Sequence, residues 1–169
     1  YSFEPSPRER KALRVNLLLN RCRNVNVEPF ALGSEETSAD LYVVDEIETG
    51  CNSLRPPNAP GQTSTIPVRV RTLDNWIAEH NLSHVDFLKL DVEGAELPVL
   101  EELAQAGKLR LIREMAVEYH HHMHPDEDRF SHLLRLLEDH GFGYVMHDTP
   151  DRPFARGQFE PILIYAYRK

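Results

Sequence analysis

The clearest periodicity in the chain lies in "PDEDRFSHLLRLLEDHGF", residues 125–142. Phe130, Leu133, Leu134 and Leu137 recur at i, i+3, i+4 and i+7, the spacing of one helix face. Asp126 and Glu127 favour the N-terminal end of that helix, and Gly141 ends it. Three further helices follow from similar signals. Ser6-Pro7-Arg8-Glu9 reads as a helix start, with Ser6 as cap, Pro7 at the first helical position and Glu9 as the capping-box acid. Leu13 and Leu17 mark its apolar face to about Asn20. "TLDNWIAEH" is capped by Thr72 and turns Leu73, Trp76 and Ile77 inward. "AELPVLEELAQAG" carries Pro98 near its first turn, where proline is tolerated, and Gly107 at its stop.

Between these helices lie short apolar runs. A remnant at Tyr1 to Phe3, "NVNVEPFAL" at Val25 to Phe30, "STIPVRV", "VDFLKL", "LIREMAVEY", "GYVMH" and "PILIYAY" read as strands. "VDFLKL" is mostly apolar, as in a parallel strand covered on both faces. Strands alternating with helices predict a single α/β domain over 1–169, a mostly parallel sheet between helical layers. Residues 34–64 read as irregular, apart from a brief β-like "DLYVVD" at 40–45, with Pro56, Pro57 and Pro60. A stretch of that length is either a lid over a site or a surface loop.

Composition narrows the function. A net charge of −8 argues against duplex nucleic acid, which needs a basic partner, and leaves small or neutral substrates open. Cys22 and Cys51 make no disulfide framework, so a reduced, cytoplasmic setting is expected. No apolar run is long enough to span a bilayer, so no membrane partner is expected. The chain opens without Met inside a strand, so an N-terminal portion is expected outside it.

In open α/β sheets, ligands gather beyond the carboxyl ends of the strands. Three strands here end in acids: the first at Glu4, another at Asp91 with Glu93 just beyond, a third at Glu118. Glu96 adds a third carboxylate to "DVEGAE". Helix capping explains one such acid, not three strands with the same habit. Glu4 suits either the hydroxyls of a ribose or the cap of the helix starting at Ser6. Gly94 permits a sharp turn or a close ligand approach. Lys89 points to the opposite side of its strand from Leu88 and Leu90, and a snorkelling surface role is preferred for it. His120, His121, His122 and His124 read as a polar surface loop rather than a metal centre, because neighbouring histidines in extended chain diverge and no HExxH helix is present.

Taken in order, "SFEPSPRERKALRVNLLLN", "NVEPFALGS", "VRTLDNWI", "VDFLKLDVEGAELPVLEEL" and "MAVEYH" resemble the blocks of the FkbM family of methyltransferases over roughly residues 1–120. The resemblance implies a Rossmann-like, class I fold using S-adenosylmethionine to methylate a hydroxyl oxygen of a sugar or another small molecule. It implies that Glu4 binds the cofactor ribose and that Ala31, Leu32 and Gly33 lie beside its adenine. Asp91 and Glu93 would face the methionine end or the acceptor. Enzymes of this type carry a glycine-rich loop directly before the "FEP" strand. This chain starts at that strand, so it is expected to be N-terminally incomplete and to bind the cofactor weakly or not at all.

Methyl transfer to an alcohol needs alignment of three atoms and a base for the hydroxyl proton. Asp91, Glu93, Glu118 and His120 are the candidates; Asp91, Glu93 and His120 are preferred as catalytic residues, Asp91 and Glu93 at the cofactor–acceptor junction and His120 as the base. Two other classes stay open on sequence alone: a methyltransferase-like scaffold without catalysis, and a metal-dependent hydrolase built on the histidines.

Overall fold

A computed structural model describes residues 1–44, 52–56, 63–120, 129–147 and 161–169. These fall into two compact units, Tyr1–Thr72 and Leu73–Lys169.

In the first unit, β1 (Ser2–Phe3) pairs in parallel with β2 (Val27–Glu28). Helix α1 (Pro7–Leu19) connects them. Proline at the first helical position needs no N–H partner, and its fixed φ suits the helix start. Ser6 does not bond the helix backbone; its hydroxyl donates to the Glu9 carboxylate instead. The capping task passes to Glu4, whose Oε1 accepts the Ser6 N–H at 2.9 Å.

A second sheet of this unit has the order β3 (Ala31–Leu32), β5 (Thr63–Arg71), β4 (Thr37–Val44). β3 runs parallel to β5, and β4 runs antiparallel to it along its whole length. The sequence reading of 34–64 as irregular is therefore corrected for 37–44. The strand signal there is alternation: Ala39, Leu41 and Val43 turn inward while Ser38 and Asp40 face out, and polar composition hides that period of two. Ser53 is bridged to Tyr42 by two backbone hydrogen bonds of 2.8 and 3.1 Å. Ala31, Leu41, Val43, Val68 and Val70 form the core of this sheet. Pro67 is tolerated in β5 because β3 reaches only Val70 and Arg71, leaving Pro67 paired on one side alone. "NVNVEPFAL" is not one strand but two short ones, β2 and β3, separated at Pro29 and Phe30.

The second unit starts with α2 (Leu73–Glu79), whose buried Leu73, Trp76 and Ile77 are the residues expected from spacing. β6 (Val85–Leu90), α3 (Glu96–Gln105) and β7 (Ile112–Tyr119) follow, with β6 and β7 parallel. A helix between two parallel neighbours is a βαβ unit. α4 (Phe130–Asp139), β8 (Phe142–His147) and β9 (Ile162–Arg168) complete the unit. The strand order is β6-β7-β9-β8. β9 enters between β7 and β8 and is antiparallel to both.

The expectation of a mostly parallel sheet is thus corrected: the described strands form one parallel pair and two mixed sheets. The last strand returns antiparallel to both its neighbours, and the β4–β5 pair adds a third antiparallel ladder. Nor is β6 covered on both faces. Leu88 and Leu90 are buried, but Phe87 is half exposed and Lys89 faces out. The inner face, with Met115, Val117, Ile164 and Ala166 buried, turns away from an outer face of exposed Phe87, Leu163, Tyr165 and Tyr167. α3 packs on β7, and α4 packs on β8 and α3. Gly107 and Gly141 end α3 and α4 in the left-handed region, as their positions in sequence suggest. Asp126 and Glu127, proposed for the start of α4, lie outside the described residues. Among the described residues no helix is long and apolar enough to cross a membrane.

Candidate active site

The parallel register of β6 and β7 pairs Leu90 with Val117. The next residues, Asp91 and Glu118, therefore emerge side by side at the same end of the sheet. His120 follows one turn of pleat later. One ligand atom from each of Asp91, Glu118 and His120 lies within 4.8 Å of the others. Residues far apart in sequence meet because both strands end in acids at the same level.

The turn after β6 brings in the remaining carboxylates. Glu93 adopts φ 51° and Gly94 φ 95°. A non-glycine residue in the left-handed region costs energy and is held there by its surroundings. What holds this turn is Glu96. Its carboxylate is almost wholly buried. Oε1 accepts the Gly94 N–H at 3.0 Å and the Val92 N–H at 3.3 Å. The same oxygen lies 2.9 Å from His120 Nδ1, which therefore carries its hydrogen toward Glu96. One buried carboxylate thus ties the strained turn to the end of β7.

The other imidazole nitrogen, Nε2, lies 3.3 Å from Glu93 Oε2. Burial of the ring pushes the His120 pKa down, but the Glu96 hydrogen bond and the charges of Glu96, Glu93 and Asp91 outweigh it, so the net direction is up. Glu93 is also raised, first by burial and then by Asp91, Glu96 and Glu118; His120 opposes this. A carboxylate raised in this way is a better proton acceptor than an ordinary one. Lys89 Nζ lies 2.6 Å from Asp91 Oδ2 and 3.8 Å from Glu118 Oε2. Its Asp91 hydrogen bond raises its pKa above the ordinary lysine value, overcoming some burial. Lys89 does face outward as expected, but it is a member of the charged cluster rather than a bystander.

Asp91, Glu93, Glu118 and His120, named from sequence, are therefore brought together. Glu96 and Lys89 also belong to this cluster, a place that sequence reasoning gave to neither. The crowding of acids in "DVEGAE" was the available signal for Glu96, and the two-residue offset from Asp91 was the signal for Lys89. His121, His122 and His124 lie outside the described residues.

Glu4, Ala31, Leu32 and Gly33 belong to the first unit. Glu4 closes β1 directly before α1, and desolvation raises its pKa despite the Ser6 N–H. Its backbone carbonyl accepts Arg10 Nη1 at 2.9 Å. Ala31 and Leu32 are buried in β3, and the Gly33 N–H donates to the Arg71 carbonyl at 3.0 Å. A side chain at Gly33 would meet Val70 Cγ1 at 2.6 Å, so glycine is required by packing at that point. Arg71, buried beside Phe30, bonds Glu36 at 3.2 Å, and Glu36 also accepts the Thr72 N–H at 3.3 Å.

Residues 1–144 match the methyltransferase FkbM domain. Among curated proteins, the chain is similar to "Methyltransferase 1" of Beauveria bassiana (strain ARSEF 2860), with 28% identity over 166 residues. That similarity covers 89% of this chain and 64% of the relative, so the chain spans less than two thirds of the relative's length. No solved structure matches.

Proposed function

Because this chain belongs to the FkbM methyltransferase family, we propose that it methylates a hydroxyl oxygen of a small molecule or sugar, with S-adenosylmethionine as cofactor. The observation that carries the reading is the meeting of Asp91, Glu93, Glu118 and His120 at the carboxyl ends of two parallel neighbours. That is where α/β sheets hold ligands. The β6-α3-β7 unit supports a Rossmann-like, class I fold for the domain.

The residues present fit the cofactor chemically. Glu4 ends a strand at a helix N-terminus and offers carboxylate oxygens of the kind that accept both hydroxyls of a ribose. The segment around Ala31, Leu32 and Gly33 is assigned to the adenine side. When bound, S-adenosylmethionine supplies a methyl group on a positively charged sulfur. Asp91 and Glu93 would position the acceptor hydroxyl. Glu93, raised by burial, takes the hydroxyl proton. His120, fixed by Glu96, orients the Glu93 carboxylate across 3.3 Å.

The test is transfer of a labelled methyl group from S-adenosylmethionine to a panel of sugars and small alcohols. Asp91→Asn and Glu93→Gln are each expected to lower the rate by about a hundredfold, the worth of general base and positioning contributions. Failure of every hydroxyl acceptor to take label, or full activity in both variants, would sink the reading.

A further inference from the structure

We propose that Arg71, held by Glu36 and lying over Phe30, is a positioning residue for the cofactor, fixing the spacing between Glu4 and residues 31–33. Its role toward S-adenosylmethionine rests on the methyltransferase reading; the clamp itself does not. All of these residues belong to the first unit.

Arg71 is the last residue of β5 and stands opposite Leu32 in the β3–β5 ladder. Three contacts meet on it. Its carbonyl accepts the Gly33 N–H at 3.0 Å. Its Nε donates to the two Glu36 oxygens, at 3.3 and 3.2 Å. Its guanidinium lies over the Phe30 ring, 5.3 Å from the centroid, a cation–π contact. Phe30 is itself buried, and its ring centroid is 5.5 Å from that of Phe3, the residue before Glu4. A path of contacts thus runs from the end of β1, which carries Glu4, through Phe3 and Phe30 to the residue that holds Gly33.

Energetics argue against a purely stabilising role. Arg71 is only 7% exposed. Taking a guanidinium out of water is costly, and a buried ion pair seldom returns more than apolar side chains of the same volume. A methionine at this place would pack on Phe30 without that cost. What arginine adds is direction, a planar fork that holds a carboxylate and an aromatic face at set angles. Set geometry is what a ligand gripped from two strands requires, with its ribose on Glu4 and its base beside residues 31–33. Such groups must be held to within about 0.5 Å by side chains that are themselves locked. Glu36 completes the lock, because it also accepts the Thr72 N–H at 3.3 Å. Arg69 approaches the same carboxylate at 3.5 Å from an exposed position, a pair of little worth.

The experiment joins amide exchange of the full chain without ligand to a titration with the demethylated cofactor, S-adenosylhomocysteine, followed by NMR. The Gly33 and Glu4 amides report directly, since they donate to the Arg71 and Glu28 carbonyls. Arg71→Met is expected to speed exchange at both by about tenfold, the scale of one lost hydrogen bond to a charged group. Amides in the middle of β4 should keep their rates. S-adenosylhomocysteine should bind about tenfold more weakly, with kcat at saturating S-adenosylmethionine unchanged. Arg71→Lys keeps the charge without the fork and should recover part of the affinity. Glu36→Gln retains an acceptor for Thr72 and should show the same pattern at smaller size, so the test survives if Arg71→Met does not fold. Arg69→Met should change neither readout. Unaltered exchange at Gly33 and Glu4 overturns the clamp, and so does loosening spread evenly over the unit, which is loss of stability alone. Selective loosening with unaltered affinity, or no binding by the unchanged chain, overturns the role toward the cofactor. Selective loosening with weakened binding, in a chain that methylates no hydroxyl, leaves the proposal standing and overturns the reading of methyl transfer to oxygen.

Discussion

Glu96 is the residue on which the candidate site turns. Its buried oxygen serves two backbone N–H groups and His120 at once. Glu96→Ala leaves all three without that acceptor, and the expected cost is roughly 1–3 kcal/mol or more, read as a lowered urea midpoint. Glu96→Gln keeps an acceptor oxygen and should lose less. Glu93 poses the opposite case, a carboxylate in a left-handed conformation. Glu93→Gly relieves that strain, worth roughly 1 kcal/mol, and removes the proposed base. Stability unchanged or raised, together with lost methyl transfer, is the expected pair of results. Glu4 is a pH probe in the first unit. Its folded pKa lies above the ordinary carboxylate value, chiefly through burial. The charged form is therefore disfavoured by folding. Its contribution is most favourable below the ordinary carboxylate pKa and is lost as pH rises through the raised folded value. Glu4→Gln should then unfold at higher urea than the unchanged chain at neutral pH. The difference should shrink at about pH 4, where both states of Glu4 take up the proton.

At the scale of elements, α4 and the four-stranded sheet depend on a few fully buried side chains. Leu133 and Leu137 of α4 are completely buried, as are Met115, Val117, Ile164 and Ala166 of the two interior strands. Leu133→Ala should cost about 2–5 kcal/mol, measured by denaturant unfolding. β7 and β9 are each paired on both sides, whereas β6 and β8 are each paired on one side among the described strands. Amide exchange should accordingly be slowest in β7 and β9 and faster in β6 and β8. Equal protection across the four strands would contradict that order. The candidate site sits where a slow strand, β7, meets a faster one, β6.

At the scale of the molecule, the two units carry different parts of the proposed chemistry. The first holds Glu4 and the Ala31–Gly33 segment; the second holds the acid–imidazole cluster. Family membership spans residues 1–144 and so takes in both. The net charge of −8 opposes binding to duplex DNA. Fluorescence anisotropy with a labelled duplex should show no saturation at physiological salt, and tight binding there would exclude a small hydroxyl compound as the sole partner class.

Most helices and the main strands were legible in the chain because their signals are local. Spacing placed Leu73, Trp76 and Ile77 inside α2 and Leu133 and Leu137 inside α4, and glycines marked the ends of α3 and α4. The acids at the ends of β6 and β7 were visible as residues. Pairing partners were not visible, because ladders join positions far apart in sequence. That is why 34–64 reads as irregular apart from a β-like run at 40–45, and why the sheet reads as mostly parallel. The same distance hid Glu96 and Lys89. Nothing local says that a buried carboxylate at 96 meets an imidazole at 120, or that an ammonium at 89 lies between acids at 91 and 118. Sequence alone determined which groups stand at the strand ends; the register of β6 on β7 decided that they form one site, because only a hydrogen-bonded ladder sets two chain segments level.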